Sequence, residues 1–193
     1  MKRVLLCALL FVSFSAMADE RGENRLNRIA NYYSSLGSYA VNFTLRVDGG
    51  EQRGELMVSG DNSYMKVADT EVYVVGGLRY EVRASSKEII VDKAELYEKE
   101  LLNPTNGFAS LKKNYNVEEC EVDGAVAVRL TPKQSGETIY IITGNGGESI
   151  AKVRYISGDN RAEMTVVRCQ KSTTAIPSFS KDRYKGFELI DFR

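Results

Sequence analysis

From Tyr39 onward the sequence alternates. Tyr39, Val41, Phe43, Leu45 and Val47 take every second position, with Ala40, Asn42, Thr44, Arg46 and Asp48 between them. Successive side chains of an extended chain point to opposite faces, so this stretch reads as a strand with one apolar and one polar face, the pattern of an antiparallel sheet. Strands are also predicted at 54–58, 63–68, 72–75, 78–84 and 87–92, with the same alternation at 63–68 and 78–84. Asp48-Gly49-Gly50, Ser59-Gly60-Asp61-Asn62 and Gly76-Gly77 supply the hairpin turns between them. Strands resume over 115–122, 125–131, 137–143, 149–157 and 162–170, and a less regular stretch with Pro177 leads to a last one at 186–192.

Little of the chain is left for helices. Leu26, Ile29, Ala30, Tyr33 and Leu36 form one apolar stripe at helical spacing, which predicts a helix over 23–36 stopped by Gly37. Residues 94–102 are rich in helix formers, Asn103-Pro104 breaks them, and 107–113 makes a second short helical turn. The expected fold is therefore α+β and mostly β: a single curled antiparallel sheet, a half-open barrel, covered by an N-terminal helix and short helices from a mid-chain insert. No linker divides residues 19–193 into two domains. So many strands against so little helix leave two readings open: a filled core, or a cavity lined by apolar side chains.

The N-terminus predicts export. Lys2-Arg3, an apolar run over 4–14 and Ala16-Met17-Ala18 before Asp19-Glu20 have the layout of a secretory signal peptide over 1–18, cleaved after Ala18. The run is shorter than the roughly 20 apolar residues that span a bilayer. Equal counts of basic and acidic residues, 26 each, offer no basic patch for nucleic acid. Histidine is absent, which removes Ser-His-Asp and Cys-His catalysis and histidine-based zinc sites. There is no P-loop, nucleophile elbow or dinucleotide fingerprint. The expectation is no catalytic residue, no metal site and no cofactor. Glu118, Glu119 and Glu121 beside Cys120 read as a solvated strand edge rather than an acid/base or metal site. Whether Cys120 and Cys169 meet depends on how many strands separate them.

Several local strings, in order, resemble the periplasmic outer-membrane lipoprotein carriers (the LolA-like family). They are Phe43-Thr44, then Gly54-Glu55-Leu56-Met57-Val58, the insert with Asn103-Pro104, and Val128-Arg129-Leu130-Thr131-Pro132-Lys133. The resemblance extends over nearly the whole chain after the leader. It implies a monomeric periplasmic protein whose half-barrel accepts lipoprotein acyl chains or other lipids for transfer towards the outer membrane. Its expected partners are an inner-membrane release complex and an outer-membrane receptor. In one place the chain departs from the family. Where carriers have a Lys-Arg-Pro-like run, whose arginine helps control lid closure, this sequence reads Ser59-Gly60-Asp61, with Gly60 at the arginine position.

On this reading Phe43, Leu45, Leu56, Met65, Val67, Leu78, Tyr80 and Val82 form the acyl-chain lining, and Leu101, Leu102, Phe108 and Leu111 form the lid. The alternatives are an envelope lipid or lipoprotein sensor or scaffold of the same fold without transfer activity, and a hydrolase that works without histidine.

Overall fold

The computed structural model describes residues 20–95, 97–134 and 136–193. The expected leader, 1–18, lies outside them. Helix α1 runs over 20–36, three residues longer at its start than the apolar stripe alone predicts. Six strands follow: β1 (Tyr39–Val47), β2 (Gly50–Ser59), β3 (Asn62–Val67), β4 (Thr70–Val75), β5 (Leu78–Arg83) and β6 (Glu88–Lys93). The insert holds a π-helical turn (Tyr97–Leu101), a 3-10 turn (Pro104–Asn106) and α2 (Ala109–Asn114). Five more strands come next: β7 (Tyr115–Val122), β8 (Ala125–Pro132), β9 (Thr138–Thr143), β10 (Ile150–Ser157) and β11 (Asn160–Lys171). A C-terminal strap with a 3-10 turn (Lys181–Tyr184) ends in β12 (Glu188–Asp191).

The strands form one curled, unclosed sheet in the order β12-β6-β5-β4-β3-β2-β1-β11-β10-β9-β8-β7. Two antiparallel meanders, β1 to β6 and β7 to β11, are joined by the long-range pair β1–β11. The Asp48-Gly49 and Asp123-Gly124 turns have positive φ at both central residues, as two-residue hairpins require. One strand departs from the expected pattern: β12 lies parallel to β6, because the strap crosses the sheet before pairing. Cys120 on β7 and Cys169 on β11 are free thiols four strand spacings apart, at about 4.8 Å each. That exceeds the ~7 Å reach of a disulfide.

The two faces of the sheet bury different things. Helix α1 and the insert cover the inner face. Leu26, Ile29, Ala30 and Tyr33 of α1 pack there with Tyr39, Val41, Phe43, Leu56, Val58, Leu130, Ile141 and Val153. The helix seats closely on the far edge, since a Cβ on Gly22 would lie 2.9 Å from both Val117 Cγ1 and the backbone nitrogen of Glu118. A bulge at Asn42/Phe43 keeps both Cys169 and Val166 on the inner side of β11, as the register partners of Val41 and Phe43, and turns Val167 out to 67 % exposure.

A second core lies on the outer face of β2 to β6. Met57, Tyr64, Tyr73, Tyr80 and Val91 are directly opposed in one row across five strands. Ile176, Phe179, Tyr184 and Phe187 of the strap cover them. Phe179 stacks on Tyr80 at 4.2 Å between ring centres and on Tyr184 at 6.2 Å. The outer face of the other half carries a row of opposed polar residues instead, Glu51, Arg46, Glu163, Arg154, Tyr140, Arg129 and Glu118. Ion pairs join Arg46 to Glu51 and Arg154 to Glu163, both at 2.8 Å, and Arg129 to Glu118 at 2.5 Å.

Candidate functional site: an apolar cavity under the insert

The inner face is not completely filled. A cavity of about 310 Å³ lies between the sheet and the insert. Its walls are Phe43 and Leu45 from β1, Met65 from β3, Val153 and Tyr155 from β10, and Ala162 and Met164 from β11, with Leu101 and Leu102 of the insert as the roof. Those strands come together because β1 pairs with β11, Phe43 facing Val166 and Leu45 facing Met164. No charged side chain lines the cavity. Its size is at the lower end of the ~300–1,000 Å³ usual for ligand pockets. Past Leu101 and Leu102 a crevice of about 20 Å³ continues between Tyr33, Tyr39, Val41 and Leu56, closed by packing.

Of the residues expected to line such a cavity, Phe43, Leu45 and Met65 are on its wall, and Leu56 is at the closed crevice. Val67 stands beside Phe43 on the same face, packed against the inner core. Leu78, Tyr80 and Val82 do not join them. Tyr80 opposes Tyr73 and Val82 opposes Glu71, which puts this face of β5 on the outer side of the sheet, where Tyr80 and Val82 belong to the second core. The alternation holds, but the register corrects the face to which it is assigned. Of the expected lid, Leu101 and Leu102 form the roof, while Phe108 and Leu111 are buried in the inner core with α1. Sequence reasoning missed Val153, Tyr155, Ala162 and Met164. Their signal is the matching alternation of 149–157 and 162–170, which acquires meaning only once β11 is known to lie beside β1.

On β5 the inner face carries Arg79, Glu81 and Arg83, and these residues hold the insert. Arg79 Nε donates to Glu98 Oε1 at 2.5 Å, a second Arg79 nitrogen donates to Glu81, and Arg83 Nε donates to Glu81 Oε1 at 2.5 Å. Glu98 is 1 % exposed. Burial pushes the Glu81 carboxyl up, but the hydrogen bonds from Arg83 and Arg79 outweigh it and hold it below the ordinary range. Further along the insert, the Glu100 carboxylate accepts from the backbone nitrogens of Ser110 and Leu111 at 2.8 and 2.9 Å, which caps the start of α2. Gly107 and Phe108 both adopt left-handed φ, 76° and 57°, and this sharp bend sends Phe108 into the core.

Gly60 also takes part. It sits in the β2–β3 turn at φ 56°, and its carbonyl accepts from Asn103 Nδ2 at 2.8 Å. The insert thus docks on a backbone group of the β2–β3 turn. Two residues of the acidic run on β7 are tied into ion pairs, Glu118 to Arg129 and Glu119 to Arg25 at 2.9 Å. Among the described residues there is no cluster of potential metal ligands, and no helix is long and apolar enough to cross a membrane. A wider depression of about 470 Å³ on the outer face is lined by Arg46, Asp48, Arg154, Arg161 and Glu163, a charged surface unsuited to an apolar ligand.

No family model matches the sequence, and no curated protein matches it. Solved structures do match the fold. An uncharacterized conserved protein from Thermus thermophilus superposes with a TM-score of 0.52 at 8 % identity, covering 88 % of this chain and 98 % of that one. MucB superposes with a TM-score of 0.50 at 15 % identity, covering 89 % of this chain and 66 % of that one. A chain of the Pseudomonas aeruginosa MucA/MucB complex gives 0.48 at 16 % identity, with 86 % and 61 % covered. This chain therefore spans under two thirds of the length of those last two matches. What the chain shares with these structures is the fold, one curled and unclosed antiparallel sheet with covering helices.

Proposed function

We propose that this chain is an exported periplasmic protein that binds lipid or lipoprotein acyl chains in the inner-face cavity and carries them towards the outer membrane. The observation that carries the proposal is the uncharged cavity between Phe43, Leu45 and Met65 on the sheet and Leu101 and Leu102 on the insert. Each methylene moved from water into such a site gains about 0.8 kcal/mol, so a dry lining under a movable roof is what acyl-chain transport through water requires. Lining and lid, the leader cleaved after Ala18 and the single domain over 19–193 are parts of this reading.

Native mass spectrometry of the protein purified from the periplasm tests it. A co-purifying lipid or acylated protein is expected, and its loss in a folded Leu45→Asp variant locates it in the cavity. A clean mass together with no uptake of an added acylated peptide overturns the proposal.

The second reading is a lipid sensor or scaffold of the same fold that binds without transfer. The observation in its favour is the docking of the insert through Glu98 and Asn103, with Gly60 where carriers have their arginine. Release of labelled lipoprotein to acceptor membranes separates the two readings, since a sensor retains its ligand.

A further inference from the structure

Resting on the lipid-binding reading, we infer that with the insert closed the cavity takes a single medium-length hydrocarbon chain, so that a monoacyl ligand binds without rearrangement and a multiply acylated one only after the insert lifts. The inference starts from size. An apolar protein cavity of about 150 Å³ holds one benzene, so the ~310 Å³ here holds about twelve carbons. That is one chain, not two or three.

The shape agrees. The walls run from Met65 of β3 through β1 and β11 to Val153 and Tyr155 of β10, and the roof is Leu101 and Leu102. The continuation beyond the roof has only about 20 Å³ and is filled by Tyr39, Val41 and Leu56. A second chain would need that crevice to open, and therefore the insert to lift. Lifting breaks the Arg79–Glu98 pair and the Asn103–Gly60 bond, which takes the guanidinium away from a buried carboxylate.

The lining also defines the chemistry of the ligand. With no charged group inside, nothing there pairs with a charged headgroup. The polar end of the ligand stays in water at the mouth, where Ala162 opposes Val47 near the β1–β2 turn and Val47 is 43 % exposed. Met65 and Met164 give walls that adapt to a flexible chain rather than to a rigid ring system.

Native mass spectrometry of the exported protein with octanoyl-, dodecanoyl- and octadecanoyl-glycine and a tripalmitoylated lipopeptide tests the inference. The expected result is one acyl-glycine per protein, with dodecanoyl at least about tenfold tighter than octanoyl and octadecanoyl little tighter still. The lipopeptide is expected to bind at least about tenfold more weakly than dodecanoyl-glycine. Ala162→Phe, near the mouth, lowers dodecanoyl uptake, and Leu102→Ala shifts preference towards octadecanoyl. Two or more acyl-glycines per protein, or the lipopeptide as the tightest ligand, overturns the single-chain inference and leaves lipid binding standing. No uptake of any probe overturns both.

Discussion

Arg79 on β5 and Glu98 in the insert are joined at 2.5 Å across the inner face, and this pair ties the roof of the cavity to the sheet. Both side chains are largely buried, at 18 % and 1 % exposure. Removing one partner of a buried pair leaves the other charge uncompensated, which costs about 3–5 kcal/mol. Arg79→Met is expected to destabilise the protein by about 3 kcal/mol, read from the urea midpoint, because it takes the guanidinium from both Glu98 and Glu81. Replacing Arg79 and Glu98 together by apolar residues is expected to restore part of the loss. If the single substitution shifts the midpoint no more than a surface change would, the pair does not hold the insert.

The same cluster predicts the response to acid. Burial raises the Glu81 pKa, but the hydrogen bonds from Arg83 and Arg79 bring it below the ordinary 4.5. Glu71 is lowered against its burial by the Tyr73 and Tyr184 hydroxyls, and Glu163 by Arg154 and Lys152. A carboxyl whose folded pKa is depressed contributes stability above its unfolded pKa and loses it as pH falls through the folded value. Thermal stability is therefore expected to be level from about pH 7 to pH 5 and to fall below about pH 4.5. Glu81→Gln lowers stability at neutral pH, and its deficit relative to the wild type shrinks below about pH 4.5, since the wild type loses the same interaction there. A deficit that stays constant with pH would show that Glu81 has no such part.

Gly54 and Phe43 predict a link between fold and ligand. They oppose each other across β1 and β2. A Cβ on Gly54 would lie 2.4 Å from Phe43 Cζ and 2.9 Å from Val67 Cγ2, so the ring lies flat over the glycine. Gly54→Ala is expected to cost about 1–3 kcal/mol through overpacking. It also pushes the Phe43 ring towards the cavity and weakens acyl-glycine uptake. Combining it with Phe43→Leu is expected to recover stability, so that the two changes are non-additive in a double-mutant cycle. Additive costs would mean that the ring and the glycine do not meet.

Most of the strands were legible because both halves of the signal were local, alternation within each strand and Gly/Asn/Asp at the turns. The stretch 115–122 is strand β7 to the residue, and 39–47 is β1. What alternation cannot give is the face. It makes Leu78, Tyr80 and Val82 neighbours on one side of β5, but only pairing with Tyr73 and Glu71 decides which side. Ser63, Met65 and Val67 and the alternate residue Tyr64 are apolar enough on both sides of β3 to conceal that two cores begin there. The β11 wall of the cavity was illegible for a different reason, since its contact with β1 spans more than a hundred residues of chain. The strap carries a signal of another kind: Ile176, Phe179, Tyr184 and Phe187 are too apolar for a solvated loop, yet follow neither period. Their partners are the aromatic row on the other side of the sheet.

That strap yields the last prediction. Phe179 lies between Tyr80 and Tyr184 and edge-on to Tyr73 at 5.7 Å, while the hydroxyls of Tyr73 and Tyr184, 2.6 Å apart, share their two protons among themselves and Glu71 Oε2, which is 2.6 and 2.9 Å away. The ring fastens the strap, and through it the parallel strand β12, onto the outer face. Full Phe→Ala truncation in a core costs about 3–5 kcal/mol, and Phe179 is only partly buried, so Phe179→Ala is expected to cost about 2 kcal/mol. Near-UV circular dichroism should lose tyrosine signal as the stacked rings come free, and hydrogen exchange should rise in β12 and β6. Acyl-glycine uptake should stay unchanged, because the second core and the cavity are on opposite faces of the sheet. A variant that keeps its strap protected but loses ligand would reverse that assignment, and would place the strap in the path to the cavity.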